Sequence, residues 1–253
     1  MKMIVFAILP AILLLGACTT RDYLGPVDYK RAAELNAQLG LGYMKEGQFE
    51  RAKYKLDKAI KFDPENAHAY HYMAELYRRL KELDKAGKYY EKAMSLAPHD
   101  MNIQNNYGIY LCERGKYEKA YKHFENIIKN PLYAARANAY ENIGLCSLRE
   151  GKLKRATSAF KSALAINPKM PKSLLQMAQI SYDEGKGDQA YDYYTRYISV
   201  AQQNPESLWI GILMENDRGH KDTVASYKVL LKGKFPASAE AKRLRKLEKA
   251  GKL

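Results

Sequence analysis

Small residues recur along this chain at a fixed interval, each set among apolar positions with helical spacing. Gly40, Ala74, Gly108, Gly144 and Ala178 are each followed twelve residues later by an alanine: Ala52, Ala86, Ala120, Ala156 and Ala190. Successive sets lie 34, 34, 36 and 34 residues apart. In the first set Asn36, Leu39, Gly40 and Tyr43 fall at spacings of three and four, which puts them on one helix face. Gly47 ends that helix, and a second one carries Ala52, Leu56 and Ala59 inward until Asp63-Pro64 stops it. The small residue at the centre of each set lets two helices approach closely. The pattern therefore predicts helix pairs repeated along the chain.

The later sets keep the scheme. They read Tyr70, Met73, Ala74, Tyr77, Ala86, Tyr90, Ala93; then Tyr107, Gly108, Leu111, Ala120, Phe124; then Tyr140, Ile143, Gly144, Ala156, Phe160, Ala163; then Leu174, Met177, Ala178, Ala190, Tyr194. Two extra residues near Asn130-Pro131 explain the one longer step and belong in a loop, where insertion is cheap. A period near 34 is that of the tetratricopeptide repeat, a helix-turn-helix unit. The expected fold is all-α, a right-handed superhelical solenoid of about six such repeats. Five units span 33–66, 67–100, 101–136, 137–170 and 171–204. A degenerate sixth unit and a basic C-terminal tail fill 205–253. Stacks of this kind present a concave face that binds peptides and proteins.

The chain opens differently. After Lys2 comes an apolar run from Met3 to Leu15, too short to span a bilayer and of the size of a signal-peptide core. It ends in Leu15-Gly16-Ala17-Cys18, which resembles the bacterial lipobox. That resemblance implies a cleaved leader over 1–17, a lipid on Cys18, and a tether over 18–32. Thr19, where an Asp would retain a lipoprotein in the inner membrane, implies an outer-membrane location facing the periplasm.

Composition is that of a folded chain, with 47% hydrophobic and 28% charged residues. The net charge is +14, and half of it falls between Lys228 and Lys252. A basic end can meet anionic lipid or an acidic partner, and a solvated helix end is the plainer reading. Export argues against nucleic acid.

Helical geometry places the concave face at offsets of −3, +1, +4 and +5 from each small residue. Leu41, Met44, Ile109, Leu145, Leu148 and Leu175 fall there and are surplus to the packing pattern. With Asn105 they form an apolar strip suited to a peptide. The alternative is that these side chains pack against the next repeat. Cys112 and Cys146 sit at similar depth on first helices of adjacent units, and a disulfide is expected there in an oxidising compartment; two separate buried thiols are the alternative. His68, His71 and Glu75 fall on one helical turn, but without a third firm ligand the histidines read as surface residues. No phosphate loop, zinc-protease motif or nucleophile elbow occurs, so neither an enzyme nor a cofactor is expected.

Three stretches are more particular than the generic repeat: Leu39-Gly40-Leu41-Gly42-Tyr43, Asn105-Asn106-Tyr107-Gly108 and Glu141-Asn142-Ile143-Gly144-Leu145. With the lipobox and five to six repeats, the chain resembles the PilF/PilW family of type IV pilus biogenesis lipoproteins, which includes secretin pilotins. The resemblance implies binding of the pilus secretin subunit in the groove and its delivery to the outer membrane. A repeat lipoprotein scaffolding β-barrel insertion or cell-wall enzymes is the alternative, and a factor that stabilises formed pili is another.

Overall fold

The computed structural model describes residues 28–131 and 133–253. Cys18, the leader over 1–17 and the part of the tether before Asp28 lie outside the described residues, whereas residues 29–32, expected in the tether, form the start of the first helix. Among the described residues there are thirteen helices and no strand. Six consecutive pairs make up most of the chain. They are α1 (Tyr29–Lys45) with α2 (Phe49–Phe62), α3 (Ala67–Arg79) with α4 (Leu83–Leu96), and α5 (Met101–Glu113) with α6 (Tyr117–Ile128). They continue as α7 (Arg136–Glu150) with α8 (Leu153–Ile166), α9 (Pro171–Asp183) with α10 (Gly187–Val200), and α11 (Pro205–Asp217) with α12 (Lys221–Lys234). Lys242, Arg243, Arg245, Lys246 and Lys249 lie on a further helix, α13 (Ala239–Lys249), packed against α11 and α12.

Local chemistry explains why each pair folds back on itself. Every first helix closes with a bond from the residue after its left-handed turn position to a carbonyl five residues earlier. These run Gln48 N to Tyr43 O, Glu82 N to Tyr77 O, Lys116 N to Leu111 O, Lys152 N to Ser147 O, Lys186 N to Ser181 O, and His220 N to Glu215 O, at 2.8–2.9 Å. This termination requires a left-handed residue just past the helix. Gly47, Gly115, Gly151, Gly185 and Gly219 supply it at φ between 71° and 81°, and Lys81 takes the same place at φ 64°. Several first helices also begin with a side-chain cap. Asp28, Asn66 and Asp100 accept from the backbone N–H three residues on, and Asn204 forms a capping box with Ser207. Each such cap contributes about 1 kcal/mol.

Between pairs, neighbouring first helices lie side by side, and each second helix packs on the next first helix. The small residues make this approach feasible. Ala52, Ala74, Ala86, Ala120, Ala156, Ala178 and Ala190 are all completely buried. Large side chains from the second helices fill the space left by the small ones: Phe124, Phe160 and Tyr194 are at most 1% exposed. Burying one such ring contributes roughly 2–3 kcal/mol. The core thus runs along the stack rather than sitting at one centre.

Candidate protein-binding surfaces

The concave strip is less continuous than helical spacing suggests. Met44 is 1% exposed and is not available to a ligand. Because α3 packs beside α1, Met73, Leu76 and Tyr77 join Met44 in one core cluster. Leu175, at 6%, is likewise buried in its cluster. Leu41 is half-buried and packs against the first of these clusters. Ile109, Leu145 and Leu148 stay half-buried. Ile109 and Leu145 line a cavity of about 70 Å³ with Asn142 and Arg149 at its border. Its floor includes Cys112 and Cys146, whose Sγ atoms are joined in a disulfide with Cα atoms 5.7 Å apart. Leu145 also borders a second depression of about 380 Å³ shared with Gln176, Tyr197 and Asn204. Asn105 accepts from Asn142 Nδ2 at 2.9 Å, which links α5 to α7 beside the first cavity.

Polar residues on the same helices hold the stack in register. His71 is not a surface residue: it is 4% exposed. Burial pushes its imidazole down to a pKa of about 4, against the opposing pull of Glu75 and Asp100. The ring is therefore neutral near pH 7. Asn106 Nδ2 lies 2.8 Å from His71 Nε2. An amide nitrogen donates, so Nε2 accepts and the ring proton sits on Nδ1. One turn on, Glu75 accepts from Arg78 at 3.0 Å and from the Tyr90 hydroxyl, while Arg78 also donates to Glu113 of α5 at 2.8 Å. Burial raises the Glu75 carboxyl, but the Arg78 hydrogen bonds and charge more than offset this, and its pKa falls below the ordinary carboxylate value. His68 is half-buried and lies between Glu34 of α1, at 3.7 Å, and Asp100 at the start of α5, at 3.3 Å. Its two nitrogens face different carboxylates, which suits a clasp between repeats. No cluster of His, Cys, Asp and Glu suited to a metal occurs among the described residues.

A surface that the sequence reading passed over lies at the start of the stack. Spacing puts Leu39 on the packing face of α1, yet it is 48% exposed, and Leu35 is 52% exposed. In later repeats the equivalents of Leu35 are Ala69, Ile103 and Ala139, all fully buried. The equivalents of Leu39 include Met73, Ile143 and Met177, at 0%, 6% and 1%. The cause is position. A preceding second helix covers those sites on α3, α7 and α9, and α1 has no such neighbour among the described residues. Leu35, Leu39, Gly42 and Tyr43 line a depression of about 420 Å³ there. The signal was in the sequence, because among the described residues the first repeat has no preceding helix pair to cover its packing face.

Helix pairs of period 34 with left-handed turns and small residues at each crossing define a tetratricopeptide solenoid. The sequence matches family descriptions of this class: "TPR repeat" over residues 40–81, "Tetratricopeptide repeat" over 65–125, and the middle TPR-like domain of cilia and flagella-associated protein 70 over 132–225. The type IV pilus assembly protein PilF of Pseudomonas aeruginosa is 35% identical over 209 residues, 83% of each chain. A solved structure of Pseudomonas aeruginosa PilF superposes with a TM-score of 0.77 at 33% identity, covering 86% of this chain and 98% of that one. The crystal structure of PilW, described as a widely conserved type IV pilus biogenesis factor, gives 0.73 at 28% identity, covering 84% and 97%. The chain belongs to the PilF/PilW family of type IV pilus biogenesis proteins.

Proposed function

We propose that this chain acts as a pilotin. It binds the secretin subunit of the type IV pilus, is held at the outer membrane by lipid on Cys18, faces the periplasm, and promotes secretin assembly. It acts by binding and carries no catalytic step. The observation that carries this reading is the uncovered face of α1, where Leu35 and Leu39 stand about half exposed at positions buried in later repeats. A helical segment of the secretin, laid on α1 as α2 lies on α3, would bury both. Apolar patches of this kind on a folded surface mark partner sites. The concave strip of Ile109, Leu145 and Leu148, with Leu41 and Asn105 beside it, offers a second contact for the chain that leaves that helix.

The test is co-purification of the full chain with secretin fragments. Leu39→Glu is expected to abolish capture, and Leu145→Glu to weaken it. Capture that survives Leu39→Glu would move the main contact off α1. Normal secretin multimers in cells lacking the protein would overturn the pilotin role altogether. Incorporation of labelled palmitate, lost in Cys18→Ser, tests the anchor separately.

A further inference from the structure

The proposed binding faces leave the most highly charged part of the chain without a role. Between Lys228 and Lys252, nine Lys or Arg residues stand against Glu240 and Glu248, half of the net +14. The structure sorts these charges by side. Ala241 and Leu244 of α13 are fully buried, in a cluster with Leu208, Ile212 and Leu231. Lys242, Lys246 and Lys249, spaced by four and three, run along the opposite side of the helix and are exposed. Glu248 is turned toward α12, where it accepts from Lys232 at 3.1 Å. Among the described residues, Lys232 is the one cation of the nine in an ion pair. The two arginines are engaged otherwise: Arg243 lies 4.6 Å from the Trp209 ring centroid, and Arg245 donates to Pro236 O at 2.7 Å. The inner side of α13 packs on α11 and α12, and its outer side meets no other described element.

We propose that the outer face of α12 and α13 is a docking surface for an anionic lipid bilayer. Lys242, Lys246 and Lys249 meet the headgroup phosphates. Two features favour lipid over an acidic protein. First, the free charges are lysines, flexible point charges suited to a fluid sheet of phosphates, whereas a fixed carboxylate is best gripped by the planar fork of arginine. Second, Val229 is 69% exposed. It sits one turn before Lys232 on the solvent-facing side of α12. An exposed branched aliphatic side chain between Lys228 and Lys232 in the chain fits a surface that is anionic outside and apolar beneath. The inference does not depend on which protein the α1 face binds.

The full-length protein is titrated with phosphatidylcholine vesicles that contain or lack phosphatidylglycerol, beside a Lys242→Gln, Lys246→Gln, Lys249→Gln variant. The N-terminal segment is common to both proteins and drops out of the comparison. All three lysines are exposed and helix-compatible in either form, and circular dichroism checks that the variant is folded. Phosphatidylglycerol is expected to strengthen binding of the parent, and the triple variant to lose about 100-fold of that gain. High salt should remove the gain as well. Equal gain in both proteins, or none in either, overturns the proposal. So does a variant that keeps its vesicle binding but loses binding to polyglutamate, which would assign the surface to an acidic protein.

Discussion

Gly144 and Phe160 meet so closely across the fourth helix pair that a Cβ on Gly144 would stand 2.5 Å from Phe160 Cε1. Phe160 is fully buried and cannot swing aside without disturbing its neighbours. Alanine is the better helix former by about 1 kcal/mol, but overpacking costs about 1–3 kcal/mol. Gly144→Ala is therefore expected to destabilise the protein by up to about 2 kcal/mol. Gly42 gives the opposite case within α1, because a Cβ there meets nothing within 4 Å. Gly42→Ala should stabilise by about 0.5–1 kcal/mol. Urea unfolding of the two variants separates the effects, and a Gly144→Ala protein as stable as the parent would contradict the close approach.

Lys81 holds the left-handed place that glycine holds in five other turns. Its φ of 64° brings its Cβ against the neighbouring backbone, a strain of about 1–2 kcal/mol for a residue with a side chain. Lys81→Gly removes that strain but loosens the unfolded chain, which returns about half of the gain. A net rise of about 0.5–1 kcal/mol is expected, read as a melting temperature higher by about 1–4 °C. An unchanged or lower melting point would mean that the lysine side chain contributes more than its backbone costs.

The repeat was legible because close packing leaves a strict record. The period comes from small residues at each crossing, and Ala74, Ala120 and Ala190 are fully buried. The binding surface was harder to read, since spacing treats all repeats alike. Met44 and Leu148 hold the same offset, yet α3 covers Met44 while Leu148 stays half-buried. Leu39 and Met73 are also equivalent, and among the described residues only Met73 has a preceding helix over it. Which neighbour covers a position depends on where the stack begins, and periodicity carries no such information. His71 was misread for a related reason. A polar residue on a first helix looks solvent-facing until its partner one repeat on, Asn106, is brought beside it.

That buried histidine makes stability depend on pH. In the unfolded chain His71 titrates near 6.5, whereas burial holds the folded form down to about 4. Between those values the unfolded state binds more protons, so stability falls as pH drops from 6.5 toward 4. The full shift corresponds to roughly 3 kcal/mol. Glu75, its carboxyl also below the ordinary value, extends the loss to lower pH as it takes up a proton. His71→Gln keeps an amide for Asn106 and removes the titrating ring. It should flatten the dependence of the urea midpoint on pH between neutrality and about pH 4. A remnant slope is expected from His123, whose imidazole burial also lowers. A His71→Gln protein with the parent's full slope would show that the acid response arises elsewhere.

The Cys112–Cys146 bond ties two first helices that neighbour contacts alone would otherwise couple. In a stack, each pair touches only its neighbours, so a cross-link between the third and fourth pairs acts on one step of the chain of contacts. The bond spans a sequence separation of 34, and closing a loop of that length restricts the unfolded chain by about 3–4 kcal/mol. Both cysteines are buried, at 6% and 1%, so alanine in their place loses little packing beyond the sulfurs. A Cys112→Ala, Cys146→Ala variant should lose up to about 3.5 kcal/mol and unfold less cooperatively, with a shallower dependence on denaturant. Each single variant should behave like the double one, because either breaks the same bond. The parent under a reducing agent should match them. Denaturation curves that coincide with the oxidised parent would mean that helix packing alone fixes this step of the stack.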